Sequence, residues 1–251
     1  MKIVGVIPAR YASSRFPGKP LADIHGKPMI WWVYQEAKKA AVFDRVFAAI
    51  DDNRVMDVCK NYGIEAIMTS DKHPTHIHRL REVSQKIESD LYVVVCGDEP
   101  LTKHETMIKV IPQEIHGDFV IQMLMREFSD PAEALDPSNI KVVVNAQNEC
   151  LLFTRSMVPF PYKSLSYKFK KLVGIECYTR SALDFFVEQQ VGFLEKIEDI
   201  AILRFVENNK RIQMVLTTEH QLGVDTPKDL DYVSDIIQQK IDRGELNIEK
   251  I

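Results

Sequence analysis

Residues 2–19 read KIVGVIPARYASSRFPGK, an apolar run followed directly by a basic loop. Lys2–Ile7 is typical of a strand buried on both faces, because aliphatic residues fill it almost without interruption. The loop after it carries Arg10, Arg15 and Lys19. In an open parallel sheet flanked by helices, ligands bind outside the carboxyl ends of the strands. The stretch therefore predicts an α/β fold with an anion-binding loop at one edge of its sheet.

The segments after this loop alternate between strand and helix patterns. This alternation is expected for a mostly parallel sheet with right-handed crossovers and helices on both faces. The predicted strands are Arg45–Ile50, Ala66–Met68 and Leu91–Val95. The predicted helices are Met29–Ala41, Val55–Tyr62 and Arg79–Glu88.

The second half of the chain has a more antiparallel character, because several strands follow one another without long helices between them. These predicted strands are Val120–Arg126, Lys141–Asn145, Leu151–Thr154, Leu172–Tyr178 and Ile212–Thr217. Helical spacing is found at Ser181–Glu188, Ile197–Val206 and Pro227–Asp242. No linker or repeat separates the halves. We therefore expect one domain over 1–251, with a core at about 1–115, an elaboration at about 116–222 and a closing segment at 223–251.

The composition is that of an ordinary globular protein, with 251 residues, 45% hydrophobic and 27% charged, and a net charge of −4. Non-specific nucleic-acid binding is not expected, because such proteins usually carry a basic excess. The four cysteines are widely spaced and match neither a zinc pattern nor a disulfide framework. Neither a signal-peptide core nor a run of ~18 apolar residues is present, so we expect a cytoplasmic protein without a membrane partner.

The basic loop has the features of a polyphosphate-binding cradle. Gly18 lets the backbone turn closely, and free N–H groups of the loop and of the following helix start can face an anion. Arg10, Arg15 and Lys19 add local positive charge, and arginine suits forked contacts with phosphate. The loop matches neither a P-loop nor a GxGxxG motif. The alternative is a solvated surface turn, which the position after the first strand disfavours.

Two aspartates are candidate metal ligands. Asp98, in CGDEP (96–100), follows the strand that ends at Val95, and Asp225, in GVDTP (223–227), precedes the last helix. Mg²⁺ prefers oxygen ligands and neutralises charge on a triphosphate and on departing pyrophosphate. Two carboxylates that meet at the ligand edge would serve this need. The alternatives are a simple turn at Asp98 and a helix cap at Asp225.

The loop PARYASSRFPGKPL (8–21) resembles that of the 3-deoxy-manno-octulosonate cytidylyltransferases, also called CMP-Kdo synthetases. This family activates the acid sugar Kdo with CTP for lipopolysaccharide assembly. The similarity continues in the same order over nearly the whole chain. It passes through HGKPMI (25–30), MTSDKH (68–73), CGDEP (96–100), NIKVV (139–143), LEKIE (194–198) and GVDTPKDL (223–230).

The resemblance implies a Rossmann-like nucleotide-diphospho-sugar transferase fold and a Mg²⁺-dependent transfer of CMP from CTP to an anionic acceptor, with release of pyrophosphate. An acceptor oxyanion attacks the α-phosphorus, so no protein nucleophile is needed. Such an enzyme would act in the biosynthesis of a surface polysaccharide, lipopolysaccharide or capsule. The family also forms homodimers through its second half, which places an expected interface between about 140 and 215.

The resemblance also assigns roles to individual residues. The catalytic set is Arg10, Lys19, Asp98 and Asp225, of which Asp98 and Asp225 would bind Mg²⁺. The CTP contacts would be Pro8, Ala9, Arg10, Arg15, Lys19, Thr69, Thr75 and Asp98. The acceptor contacts would be His76, His78, Arg79, Glu176 and Tyr178.

The chain departs from the family pattern mainly on the acceptor side. The family usually has Ser-Gly-Thr, an acid and Arg where this chain has THIHR (75–79). A family glutamine, a histidine and an acid–glutamine pair are replaced by Cys96, Leu172 and Ala201–Ile202. A sugar hydroxyl left unpaired in a closed site costs ~1–3 kcal/mol. We therefore expect a different acid sugar, a phosphonate or a phosphorylated small molecule as the acceptor.

The histidines in this region leave alternatives open. As donors, or as cations at mildly acidic pH, His76 and His78 could hold an anionic acceptor together with Arg79. They could equally be polar loop residues at the edge of the cleft. A third alternative is a zinc site with His73, for which a strand-like spacing would put His76 and His78 on one face. A second hypothesis, from a different class, is a catalytically silent nucleotide-binding regulatory or scaffold protein.

Overall fold

A computed structural model describes residues 1–13, 15–163, 166–219 and 222–248. Its strands are β1 (Ile3–Ala9), β2 (Asp23–Ile24), β3 (Lys27–Pro28), β4 (Arg45–Ile50), β5 (Ala66–Met68), β6 (Leu91–Val95), β7 (Ile121–Glu127), β8 (Lys141–Val144), β9 (Cys150–Thr154), β10 (Lys170–Tyr178) and β11 (Gln213–Thr217). Its helices are α1 (Met29–Lys39), α2 (Asn53–Asn61), α3 (His76–Lys86), α4 (His104–Met107), α5 (Arg180–Glu188), α6 (Phe193–Glu198), α7 (Leu203–Glu207) and α8 (Pro227–Asp242).

One nine-stranded sheet runs through both halves of the chain, with its main path in the order β11-β7-β10-β6-β1-β4-β5. Strand β1 pairs in parallel with β4 and β6, and β4 pairs in parallel with β5. Strand β10 is antiparallel to both β6 and β7, whereas β11 is parallel to β7. The expected α/β fold with a mostly parallel sheet and a more antiparallel second half is confirmed.

The core lies on both faces of this sheet, which is why the central strands read as continuous apolar runs. In β1, Ile3 and Ile7 pack with α1, α2 and α8, whereas Val4 and Val6 pack with α3, α5 and α7. All four of these side chains are buried. The carboxyl end of β1 is therefore held rigidly between two helical layers, and the loop after it starts from a fixed position.

Two local predictions were wrong. Residues 76–78 do not have a strand-like conformation, because α3 begins at His76, three residues before its predicted start at Arg79, with Thr75 as its N-cap. The predicted helix Ile197–Val206 is two short helices, α6 and α7, since Asp199 adopts a left-handed conformation with φ 51° that ends the first of them. Both differences lie beside the sheet edge where the loop after β1 is found.

Within the described residues, none of the helices combines the length and hydrophobicity needed to cross a lipid bilayer.

Candidate active site

Two adjoining cavities lie at the carboxyl ends of β1 and β6, the edge predicted from the sequence. The first, here the loop cavity, has a volume of about 510 Å³ and is lined mainly by the loop after β1 and by residues 96–98. The second, here the side cavity, has a volume of about 650 Å³. Five residues line both cavities: Arg10, Arg15, His76, Asp98 and Glu176. These residues form the junction at which two bound molecules would meet.

The loop after β1 is fixed at both of its ends. The backbone N–H of Tyr11 donates to Asp51 Oδ1 at 3.0 Å, and the N–H of Gly18 donates to the Tyr11 carbonyl at 2.8 Å. Gly97, after β6, passes so close to the loop that a Cβ there would lie 2.8 Å from the Pro8 carbonyl oxygen. A side chain at position 97 would push the strand ends apart, so glycine is what lets Asp98 approach the loop.

Asp98 and Asp225 converge on one lysine. Lys19 Nζ lies 2.6 Å from Asp98 Oδ2 and 3.4 Å from Asp225 Oδ1. Arg15 approaches the other Asp225 oxygen at 3.0 Å. The two segments are joined through the backbone as well, since the N–H of Val224 donates to the Asp98 carbonyl at 2.8 Å. Residues 127 positions apart in the sequence are thus brought to one small volume.

Asp225 is not the cap of the last helix. Thr226 caps α8 by accepting from the N–H of Asp229, and the Asp229 carboxylate accepts in return from the N–H of Thr226. This capping box satisfies the start of α8 without Asp225. The Asp225 side chain, 47% exposed, is therefore free to pair with Lys19 and Arg15.

Arg10 is the cation at the junction that has no carboxylate partner. Among the described residues its guanidinium forms no ion pair, whereas Arg15 and Lys19 both do. Burial and the nearby positive charge of Arg79 lower the pKa of Arg10, although Asp51 opposes this effect. A half-buried, uncompensated cation that lines both cavities favours an anionic ligand at this point.

His76 and Glu176 form a pair on the wall shared by the two cavities. His76 Nε2 lies 2.8 Å from Glu176 Oε2, and the Tyr178 hydroxyl donates to the same oxygen at 2.6 Å. Burial alone would lower the pKa of His76, but the charge and hydrogen bond of Glu176 outweigh it and raise that pKa. Burial likewise opposes ionisation of Glu176, and the charge of His76 overcomes it, so the pKa of Glu176 is lowered. The pair therefore holds the His76 ring in place on the wall that the two cavities share, and it favours the protonated form of that ring.

A buried ion pair between Asp51 and Arg79 supports the loop from behind. Arg79 is fully buried, and its guanidinium donates to Asp51 Oδ2 at 2.7 Å and to the Thr69 hydroxyl at 2.5 Å. Asp51 is thus tied to Arg79 through one oxygen and to the loop through the other. Asp51 was not predicted as a site residue from the sequence. Its position was a usable signal, because it directly follows the last residue of β4, just as Asp98 comes three residues after the end of β6.

Four residues assigned to ligand contacts do not line either cavity. Thr69 and Arg79 are buried and bonded to each other, and the Tyr178 ring is buried behind Glu176. His78 points into a different cavity, against Phe186, because residues two apart on a helix do not share a face. Burial and the nearby charge of Arg204 lower the pKa of His78 to about 4, so it is neutral near pH 7. The remaining residues assigned to CTP or acceptor contacts line the loop cavity or the side cavity. Asp225 lines neither cavity and reaches the site through its ion pairs with Arg15 and Lys19. All of these roles stay predictions.

The three histidines of 73–78 do not meet around a common point. His73 pairs with Glu82, His76 with Glu176, and His78 with the Thr75 hydroxyl. Across the described ranges, one group alone could gather three ligand atoms, namely Glu36, His104 and Glu105, outside the two cavities. A zinc site built from the three histidines is therefore not supported.

Cys96 sits at the base of the loop cavity in a tightly packed position. A Cβ on Gly174 would collide with its sulfur, so glycine at 174 provides the space that Cys96 fills. Burial, together with the charges of Glu99 and Asp98, raises the pKa of the Cys96 thiol well above its usual value. A thiol held protonated in this way is a poor nucleophile, which agrees with a packing role.

Comparison with known proteins places this architecture in a family. A cytidylyltransferase family model matches residues 4–212. The chain is 36% identical over 241 residues to the 3-deoxy-manno-octulosonate cytidylyltransferase of Fusobacterium nucleatum, covering 95% of this chain and 98% of the relative. It is 38% identical over 242 residues to the enzyme of the same name from Escherichia coli, covering 96% and 98%.

Solved structures agree with the sequence relatives. A CMP:2-keto-3-deoxy-manno-octonic acid synthetase in complex with CTP superposes with a TM-score of 0.88 at 36% identity, covering 96% of this chain and 100% of the other. An inositol-1-phosphate CTP transferase from T. maritima shares the fold, with a TM-score of 0.68 at 16% identity, and covers 94% of each chain. The chain is therefore a nucleotidyltransferase that belongs to the 3-deoxy-manno-octulosonate cytidylyltransferase family.

Proposed function

We propose that this cytidylyltransferase transfers CMP from CTP to a small anionic acceptor other than Kdo, in a reaction that depends on Mg²⁺. The observation that carries the proposal is the convergence of Asp98, which lines both cavities, and Asp225 on Lys19, which lines the loop cavity. A nucleotide in the loop cavity and an acceptor in the side cavity would present their reacting atoms to each other at the junction of the two cavities. The Arg10 cation, which lines both cavities, supports anionic ligands on both sides.

The donor atoms at the junction fit a magnesium ion. Two carboxylates approach one cation there, and hard oxygen ligands are what Mg²⁺ takes in sites that it shares with phosphates. Asp98 and Asp225 would hold the ion, which when bound supplies charge neutralisation on the triphosphate. Lys19, which pairs with both carboxylates, also lines the loop cavity, where it would contact the phosphates.

The protein's own residues bind the two substrates, orient their reacting atoms and neutralise the negative charge of the phosphates. Backbone N–H groups of the loop and the side chains of Arg10, Arg15 and Lys19 stabilise negative charge on the phosphates. The acceptor oxyanion forms a bond to the α-phosphorus, and the bond from the α-phosphorus to the bridging oxygen breaks. Pyrophosphate leaves with that electron pair. Because the acceptor enters as an anion and no covalent enzyme intermediate forms, the rate enhancement comes from position and charge.

Two observations favour an acceptor other than Kdo. His76, where the family pattern has glycine, places an imidazole ring in the lining of both cavities, and its pairing with Glu176 raises the pKa of that ring. Leu172 and Ala201–Ile202 replace hydrogen-bonding side chains and line the side cavity. A polyhydroxylated sugar acid would lose hydrogen bonds at each of these positions, at a cost of ~1–3 kcal/mol for each unpaired group.

The direct experiment is pyrophosphate release from CTP and Mg²⁺ with a panel of acceptors. The panel contains Kdo, its amino analogue, other ulosonates, phosphonates and phosphorylated amino acids. We expect turnover with an anionic member other than Kdo. A preference for Kdo would overturn the proposed acceptor, and CTP binding without release for any member would favour a catalytically silent nucleotide-binding protein.

We also propose that the chain works as a cytoplasmic homodimer. Large apolar side chains are exposed in the segment where an interface is expected. They include Leu151 at 55%, Phe160 at 79%, Phe193 at 72% and Ile197 at 66%. Light scattering after size exclusion should give about twice the 28.9 kDa chain mass. A Phe160→Asp variant should shift the mass toward the monomer if this face is the interface, and a monomeric wild-type protein would contradict the proposal.

A further inference from the structure

We infer that the acceptor carries alkyl groups at its end remote from the reacting oxygen, where a sugar acid carries hydroxyls. This inference rests on the proposed function and names the substrate class of the same site. It comes from the asymmetry of the side cavity. Five residues of this cavity, four of them charged, also line the loop cavity, whereas its aliphatic residues Ile140, Leu172 and 200–202 do not. Pro74, Thr75 and Asp199 complete the lining.

The charged side is the junction with the loop cavity. Arg10, Arg15, His76, Asp98 and Glu176 lie there, and each of them also lines the loop cavity. The reacting oxygen and the anionic group of the acceptor must lie on this side, since the α-phosphorus of a bound nucleotide is reached from the junction. The reacting oxygen and the anionic group of the acceptor therefore find their polar partners in the part of the cavity next to the nucleotide.

The aliphatic side, here the apolar wall, is built from three separate segments. It consists of Ile140, Leu172 and residues 200–202, which read IAI. Strand β10 brings Leu172 beside Ile140, and the two are joined by a hydrogen bond from the Leu172 N–H to the Ile140 carbonyl at 2.9 Å. The break between α6 and α7 brings residues 200–202 to the same surface.

The carbonyl groups of the apolar wall already accept hydrogen bonds from within the protein. The carbonyls of Ile200, Ala201 and Ile202 accept from the N–H groups of Leu203, Arg204 and Phe205 in the first turn of α7. The Ile140 carbonyl accepts from Leu172. A ligand hydroxyl placed against the aliphatic side chains of this wall would lose its water without gaining a side-chain partner from them. The other polar side chains in the lining outside the junction are Thr75, whose hydroxyl is bonded to His78, and Asp199. An alkyl group there instead gains burial, and a single methylene in such a pocket changes kcat/KM by about 10-fold or more.

The apolar wall is therefore a specificity surface for deoxygenated anionic acceptors. Cavities that bind small molecules combine an apolar lining with a few polar groups that fix orientation, and the side cavity has this composition. Continuity with the nucleotide-side junction identifies its occupant as the acceptor. A protein segment docked on the apolar wall would fill the space next to the reacting centre, so the wall is not a docking surface for another part of a protein.

The test compares matched acceptors that differ only at the remote end. The pairs are Kdo with 8-deoxy-Kdo, and 2-hydroxyethylphosphonate with propylphosphonate, assayed by pyrophosphate release with the full-length protein, CTP and Mg²⁺. We expect kcat/KM at least about 10-fold higher for the alkyl-bearing member of a pair. Equal values, or a preference for the hydroxylated member, overturn the inference.

Two variants make the test specific to the apolar wall. Leu172→Gln and Ala201→Ser add hydrogen-bonding groups and should shift the preference toward the hydroxylated member by about 10-fold. Leu216→Gln is the matched control, since Leu216 is 46% exposed on β11 and lines neither cavity. CTP affinity should be equal in all these proteins, because the substituted positions lie outside the loop cavity. An unchanged preference in both wall variants overturns the inference.

Binding measurements separate this inference from the proposed function. If none of the acceptors is turned over, the same pairs are titrated into protein saturated with α,β-methylene-CTP and Mg²⁺. Tighter binding of the alkyl-bearing members supports the apolar wall even though the proposed turnover has failed. Absence of saturable binding for these members overturns the inference, and absence of CTP binding overturns the proposed function itself.

Discussion

The backbone N–H of Val224 donates a 2.8 Å hydrogen bond to the carbonyl of Asp98, joining the start of the last segment to the end of β6. Because Asp225 follows Val224 in the chain, this bond holds Asp225 next to Asp98. Since Thr226 and Asp229 already cap α8, the Asp225 carboxylate has no structural duty at the helix start. Its negative charge is instead compensated by Lys19 and Arg15, the cations expected to bind phosphate.

Asp225→Asn should therefore lower activity without lowering stability. We expect kcat for pyrophosphate release to fall about 100-fold or more, because the site loses one anionic ligand for Mg²⁺. Thermal unfolding should be unchanged within error. Asp235→Asn, an exposed change on α8, is the matched control. Thr226→Ala should show the opposite pattern, with about 1 kcal/mol lost in stability and a smaller effect on kcat.

Arg79→Ala should unfold the protein more easily rather than weaken acceptor binding. It leaves the buried Asp51 carboxylate without its partner, which costs about 3–5 kcal/mol in the free energy of unfolding. Urea titration measures this loss. Arg81→Ala, which removes a half-exposed pair with Asp184, should cost less than about 1 kcal/mol. A stable Arg79→Ala protein with a raised KM for the acceptor would instead support the prediction from the sequence that Arg79 contacts the acceptor.

The pair of His76 and Glu176 predicts a pH-dependent contribution to stability. The pKa of His76 is raised in the folded state, so the stabilisation is fully present below its ordinary value of 6.5 and is lost as pH rises through the folded value. The lowered pKa of Glu176 means that acid removes the stabilisation only below about pH 4.5.

We therefore expect His76→Gln to lose about 1 kcal/mol relative to wild type near pH 5.5, with a smaller difference near pH 8.5, since the ring is partly screened by solvent. Denaturant titrations at the two pH values provide the comparison. His116→Gln, whose ring is 85% exposed, controls for a general effect of losing a histidine. A difference that grows with pH would show that His76 is neutral in the folded protein.

Gly174 and Cys96 should behave as a coupled pair. Gly174→Ala adds a methyl group against the Cys96 sulfur and should cost about 1–3 kcal/mol in stability through overpacking. Cys96→Ala removes the obstacle, so the double variant should recover part of that loss. A double-mutant cycle by denaturant unfolding measures the coupling. Additive effects would mean that the two side chains do not compete for the same space.

The sequence predicted the sheet well because its central strands are buried on both faces. Leu91–Val95 and Arg45–Ile50 were placed with the bounds that the structure has, since a run of aliphatic residues ends where the chain leaves the core. The position of the site followed from the same fact. The charged loop and Asp98 both come directly after such strands.

The side-chain directions within the site were harder to predict. The stretch THIHR (75–79) alternates like a strand, but Thr75 caps a helix and sends His76 and His78 to different cavities. Burial of Arg79 could not be predicted locally, because it depends on Asp51, which lies 28 residues earlier and on another strand end. Nearby sequence carries no signal for a contact of this kind.

The central claim is that Asp98 and Asp225 act together in transfer of CMP to an anionic acceptor. The most direct measurement is pyrophosphate release from CTP across the acceptor panel, for wild type and Asp225→Asn, with Mg²⁺ and with excess EDTA. The account predicts release that requires the acceptor and Mg²⁺ and falls about 100-fold in the variant. Release that persists in EDTA, or that Asp225→Asn leaves unchanged, would contradict it.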